Sequence, residues 1–286
     1  MLRITALRTL ISAFTVVLCA PISGGAAELI PPPKTDSKGW IVTVSVIGAV
    51  SPSFPGSGQM RPYPFPAVAV RRVGEPETFS TPDEGFGFPV FDYGGLRVGP
   101  VANFVFQRGQ RDGLFGLRRV ALTHEIGGFV EYHPFDHFRM RAEMRQGIDG
   151  HEGFVAAFYA DAYESVGRFR LSVGPRINFG DNNYANAYFS VTPFEALVNG
   201  RLLPYTATGG FTSAGGMATI RYNFTDETAV SVYGGGQRLL GSVGSSPIPN
   251  LIGSRNQFNA GLALSYSFVV ADPLQYLPEP LTSLKP

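Results

Sequence analysis

The sequence predicts an all-β protein, a transmembrane antiparallel up-and-down β-barrel of about twelve strands, with ten as the smaller alternative. Three observations carry this expectation. Apolar and polar residues alternate in runs of ten or more, the period-two signature of a strand with one apolar face. Runs of that length match the roughly 9–11 tilted residues that cross a bilayer, rather than the about 5–6 usual in globular sheets. The polar face also holds rows of arginine and glutamate, which a barrel can take into its lumen. A secreted sandwich alternates too, but it would send those charges to bulk water.

Composition narrows the alternatives. The 286 residues are 44% hydrophobic, 13% aromatic and 16% charged, well under the about 25% charge of ordinary soluble domains. Mean hydropathy is only +0.06, and past residue 27 there is no uncharged apolar run of the about 18 residues a membrane helix needs. The 35 glycines and 23 prolines disfavour long helices, and the aromatic content argues against disorder. Net charge is +1; no nucleic-acid partner and no cofactor is expected.

Arg3 and Arg8 precede the apolar stretch Leu10–Ala20 and the small residues Gly24–Ala27, the layout of a secretory signal peptide over residues 1–27. Leu18 before Cys19 argues against a lipoprotein signal. Cleavage after Ala27 removes two arginines and the only cysteine, leaving 259 residues with a net charge of −1. Residues 28–39 form a Pro-rich leader. Strands are expected at 40–50, 62–73, 76–81, 86–93, 95–107, 122–133, 136–147, 152–165, 168–180, 211–225, 228–240 and 256–268. Pro82 and Pro89 weaken the third and fourth. The barrel thus covers 40–268, and 269–286 is a Pro-rich periplasmic tail. Connections near 133–136, 165–168 and 225–228 are tight, while 107–121, 180–210 and 241–255 are long. Short turns on one side and long loops on the other are usual in outer-membrane barrels. The long 180–210 loop carries Tyr184, Tyr188, Phe189, Phe194 and Tyr205, expected to fill the barrel mouth. No segment shows a helical period.

The alternation places a charged row in the lumen: Arg139, Arg141, Glu143, Arg145, Asp161, Arg170, Arg176 and Arg221, with Glu125 and Glu131. Such a row either fills the barrel as an ion-pair network or lines a water-filled passage with a mild anion bias, making the protein a small-solute channel. Catalysis has weaker support. Asp149, His151 and Glu152 crowd one loop, and Ser190 or Asp181 would have to fold back to complete a site. Gly147, Gly150 and Gly153 there point to turn geometry first. No H-E-x-x-H run exists, and His133 and His137 flank a turn rather than a helix. The protein is expected to be no enzyme and to hold no metal.

Near the end, Asn259, Gly261, Leu264, Tyr266 and Phe268 form a polar-x-Gly-x-x-apolar-x-aromatic pattern, similar to the signal read by the barrel-assembly machinery. Three further segments belong together: RQGIDGHEG (145–153), DNNYANAYFSVTP (181–193) and GSRNQFNAGLALSYSF (253–268). In order and spacing they resemble the MltA-interacting protein family (MipA/OmpV), and SPSFPGS (51–57) resembles its first-loop motif, with Pro55 where the family often has an acid. The resemblance covers roughly 40–268. It implies an outer-membrane barrel of a Gram-negative bacterium, embedded in outer-membrane lipid. It also implies a scaffold for a lytic transglycosylase and a penicillin-binding synthase in murein assembly, with no catalytic residues. The tail beyond Phe268 departs from the pattern, so any assembly signal would act internally.

Overall fold

The computed structural model describes residues 39–75 and 77–271. The expected signal peptide, nearly all of the leader and residues 272–286 of the tail lie outside them. Twelve antiparallel strands form one sheet: β1 (Gly39–Pro52), β2 (Met60–Arg72), β3 (Phe86–Gly87), β4 (Phe91–Tyr93), β5 (Leu96–Val105), β6 (Thr123–Phe135), β7 (Phe138–Ile148), β8 (Phe154–Val166), β9 (Phe169–Gly180), β10 (Gly210–Asn223), β11 (Thr228–Leu239) and β12 (Asn256–Ala271). Each pairs with its sequence neighbour from β5 to β12, and β12 then pairs with β1 from Gly39↔Ala271 to Val50↔Ala260. Both ends of the described chain therefore meet at one rim.

Period-two alternation decides which way each strand faces. Along β7, Arg139, Arg141, Glu143 and Arg145 are buried while Met140 and Met144 are about half exposed, the pattern of a charged interior and an apolar belt. Val46, Val68, Val173, Ile220, Leu264 and Tyr266 extend that belt around the wall. Glycines let strands approach closely: a Cβ on Gly127 would lie 1.8 Å from the Met144 carbonyl oxygen.

The wall is open along one seam. Among the described residues β2 pairs only with β1, and β3 and β4 pair only with β5. The two sides nevertheless come together at the end that carries the long loops, where Tyr63 stacks on Phe106 with ring centroids 4.4 Å apart. Two sequence expectations are corrected here. Among the described residues of 76–81 no strand forms, and 86–93 is broken into β3 and β4, joined by Val90 N donating to Val98 O at 2.9 Å. Pro82 and Pro89 interrupt any ladder there. Residues 77–85 instead form a strap inside the barrel. Phe79 stacks on Tyr163 of β8 at 4.3 Å, and three strap carboxylates reach arginines of the far wall.

A third correction concerns the long loops, which contain short helices: α1 (Asn182–Phe189), α2 (Pro193–Asn199) and α3 (Gly241–Ser245), followed by a π-helical turn at Ile248–Ile252. They are too short to show a helical period. Their ends are legible, however. Asp181 caps α1 by accepting from Tyr184 N at 2.9 Å. Thr192 and Glu195 form a capping box on α2, with Pro193 in its first turn.

Candidate functional site

The lumen is a continuous charge network built by strand register. Arg139 lies opposite Asp161, and Arg141 opposite Glu131. Arg139 is fully buried and contacts Asp161 at 2.6 Å, Glu131 at 3.4 Å and Glu84 of the strap. It also donates to the Phe79 carbonyl at 3.2 Å and lies 4.7 Å from the centre of that ring. Arg141 bonds Glu131 at 3.1 Å and Glu143 at 2.8 Å, with its guanidinium 3.8 Å from the centre of the Phe129 ring. Arg145 joins Glu125 at 2.8 Å and also Glu143. Arg176 bridges Asp83 of the strap at 2.6 Å and Asp161 at 2.9 Å. Arg170 and Arg221 share Glu77 of the strap at 3.1 and 2.9 Å.

Every arginine of the row thus has a carboxylate, and the strap explains why. Glu125, Glu131, Glu143 and Asp161 on the wall are too few for six arginines, and Glu77, Asp83 and Glu84 supply the remainder. This cancels the anion bias that the wall alone would create. The excess of arginine over acid in the predicted strands was the sequence signal for such a partner segment.

A lid of loops roofs the network. One apolar cluster joins Val120, Ala185, Tyr188, Phe189, Leu239 and Val243; a second joins Phe54, Leu114, Leu117, Val191, Ala196, Leu202 and Ile248. The first loop and the loops after β5, β9 and β11 therefore share a core. Ser246 Oγ donates to Phe189 O at 2.6 Å, and Arg108 donates to Tyr188 O at 2.6 Å and Arg118 O at 2.9 Å. Burial above all raises the Tyr184 and Tyr188 hydroxyls, the latter to about 12, so both stay neutral. Of the aromatics expected in the mouth, Tyr184, Tyr188, Phe189 and Tyr205 pack there, whereas Phe194 points outward with 73% exposure. Burial pushes the Glu195 carboxyl up, but N–H donors of Thr192 and Arg118 at 2.8 and 2.7 Å outweigh this and hold it below its ordinary value.

His151 is buried, its Nε2 3.1 Å from Glu125 and its Nδ1 accepting from Gly153 N at 3.0 Å. Ser190 donates to Asn186 at 2.7 Å and accepts from Ala207 N at 2.8 Å, and Asp181 is the α1 cap, so neither is hydrogen-bonded to His151. His133 and His137 face different acids, Glu131 at 3.7 Å and Glu164 at 3.5 Å. On β12, Leu264, Tyr266 and Phe268 lie on the apolar belt. A Cβ on Gly261 would meet the Tyr233 ring at 2.4 Å, so that glycine has a packing reason of its own.

A lipid-facing belt around a charged lumen, with long loops gathered at one rim and both ends at the other, defines an outer-membrane β-barrel protein. Within that class, residues 44–268 match the family model described as MltA-interacting protein MipA, and the chain belongs to that family. No curated protein matches it. Among solved structures it is similar to an outer membrane channel from Pseudomonas putida F1, with 10% identity, 87% of this chain and 100% of that chain covered, and a TM-score of 0.42. It is also similar to the N-terminal β-barrel domain of Pseudomonas aeruginosa OprF (11% identity, 80% and 97% covered, TM-score 0.26). A third is Pseudomonas aeruginosa OprD (8% identity, 83% and 98% covered, TM-score 0.29).

Proposed function

We propose that this barrel is a non-enzymatic scaffold that holds a lytic transglycosylase, and with it a penicillin-binding murein synthase, at the inner face of the outer membrane. The observation that carries this reading is the neutralised, strap-filled lumen beneath a packed lid. Such an interior weighs against a standing aqueous passage and leaves binding as the role. The family description names an MltA interaction, which supplies the partner class. β12 carries the pattern expected to engage the barrel-assembly machinery, and outer-membrane lipid surrounds the belt.

The contact surface we assign is the periplasmic rim. Gly39 and Ala271 are paired there, the sequences flanking them are Pro-rich, and Pro-rich segments are a recurring recognition mode. Purified full-length protein is expected to capture a purified lytic transglycosylase of the MltA type. Deleting Asp272–Pro286 is expected to leave the barrel assembled, as judged by heat-modifiable migration, and to weaken that capture. Absence of capture by the full-length chain would overturn the scaffold. Undiminished capture by the truncated chain would remove the tail as the contact.

A further inference from the structure

We propose that the seam between β2 and β5 binds an anionic single-chain amphiphile, which reaches it sideways from the outer leaflet of the bilayer. The edge of β2 supplies the first argument. Val73 N donates to Gly39 O at 2.9 Å, and the β1–β2 register runs unbroken from Trp40↔Arg72 to Pro52↔Met60. In an antiparallel ladder both polar groups of a residue point to the same side, and successive residues alternate. Odd-numbered residues of β2 therefore bond to β1, and even-numbered ones face the seam. Pro62, Pro64 and Pro66 are among the latter and have no N–H. A neighbouring strand would lack three donors there, so this part of the wall cannot zip shut. The same absence lowers the cost of an unpaired edge in lipid, where each orphan donor is expensive.

Side chains close the seam where hydrogen bonds do not. Tyr63 stacks on Phe106, and Arg61 meets Asp112 at 3.5 Å. Behind the stack lies a cavity of about 410 Å³, with Tyr63, Phe104 and Phe106 on the seam side and the amides of Asn103, Asn178 and Gln257 toward the lumen. Those amides disfavour deep entry of a hydrocarbon chain and keep it at the seam. Above it, sharing Ser53 and Phe54, is a cleft of about 670 Å³ that carries Arg61, Arg108, Arg111 and Arg119 against the single acid Asp112.

Arg108 points to the ligand's charge. It is 1% exposed, its guanidinium hydrogen-bonds only carbonyl oxygens and lies 6.0 Å from the centre of the Tyr188 ring, and its Nε has no partner among the described residues. Burial foremost brings its pKa down to about 10, so it remains a cation at neutral pH. A buried guanidinium without a carboxylate is costly until an anion joins it, and guanidinium groups pair well with carboxylate or phosphate. The head group would sit in the cleft and the chain against the aromatic seam below. This site is separate from the periplasmic rim and does not depend on the scaffold role.

The test uses full-length protein in nonionic detergent and a diazirine-bearing dodecanoate as photoprobe. Saturable labelling is expected within residues 60–66 and 103–112. Dodecanoate and dodecyl phosphate should displace the probe, whereas dodecanol and inorganic phosphate should not. Arg111→Glu combined with Arg119→Glu should raise half-saturation about tenfold or more, a change of about 1.4 kcal/mol, with heat-modifiable migration unchanged. Arg168→Glu, at the opposite rim, should leave it alone. Labelling spread evenly around the belt, equal displacement by dodecanol, displacement by phosphate alone, or unaltered binding in the double variant would each overturn the proposal.

Discussion

Replacing Arg139 by alanine is expected to cost the barrel about 3–5 kcal/mol, the usual penalty for removing one partner of a buried ion pair. The side chain is fully buried and touches Asp161, Glu131 and Glu84 at once. Its loss leaves three nearly buried carboxylates with only Arg141 and Arg176 to compensate them. It also unpins the strap, because the same guanidinium donates to Phe79 O. Equilibrium urea unfolding of the refolded protein in micelles measures this. Arg168→Ala, which removes only an exposed hydrogen bond to Phe224 O, should stay within about 0.5 kcal/mol of the parent. Equal stability of the two variants would mean that the charge network does not hold the barrel together.

Phe189→Ala in α1 is expected to loosen the lid by a similar amount, about 3–5 kcal/mol for a fully buried phenylalanine. Phe189 has no exposed surface, packs in the cluster with Tyr188, Leu239 and Val243, and stands close to Gly56 of the first loop. The effect should be local. Amide exchange across 182–199 should speed up by about two to four orders of magnitude, while the β7–β9 amides keep their protection. Phe194→Ala, which removes an exposed ring, should change neither. Uniform loss of protection over the whole wall would show that lid and barrel unfold as one unit.

Most of the wall was legible in the sequence because a half-buried strand writes its environment into every second residue. β7 is the clearest case: its arginines and glutamate face the lumen and its methionines face lipid, as alternation alone predicts. Ten of the expected spans lie on long strands, with ends differing by a few residues; β12, for example, continues to Ala271. The strap was not legible from local pattern. Nothing in Glu77–Gly85 distinguishes a weak strand from an inner segment; the choice is made by Arg139, Arg170, Arg176 and Arg221, distant in sequence. Counting six lumen arginines against four wall acids would have pointed to it. The short helices were hidden for a different reason, since one or two turns cannot display a period, although the Thr192–Glu195 capping box marked one start. The alternate prolines of β2 were visible throughout. Their meaning as a disarmed edge needed the register to β1.

Strap and lid fill and roof this lumen, and under the proposed scaffold role the barrel binds partners without conducting solutes. Planar-bilayer recording of the refolded full-length barrel, with heat-modifiable migration confirming assembly, tests this most directly. The sealed lumen predicts a flat baseline from correctly assembled protein. Discrete, reproducible conductance steps would contradict it and restore the small-solute channel.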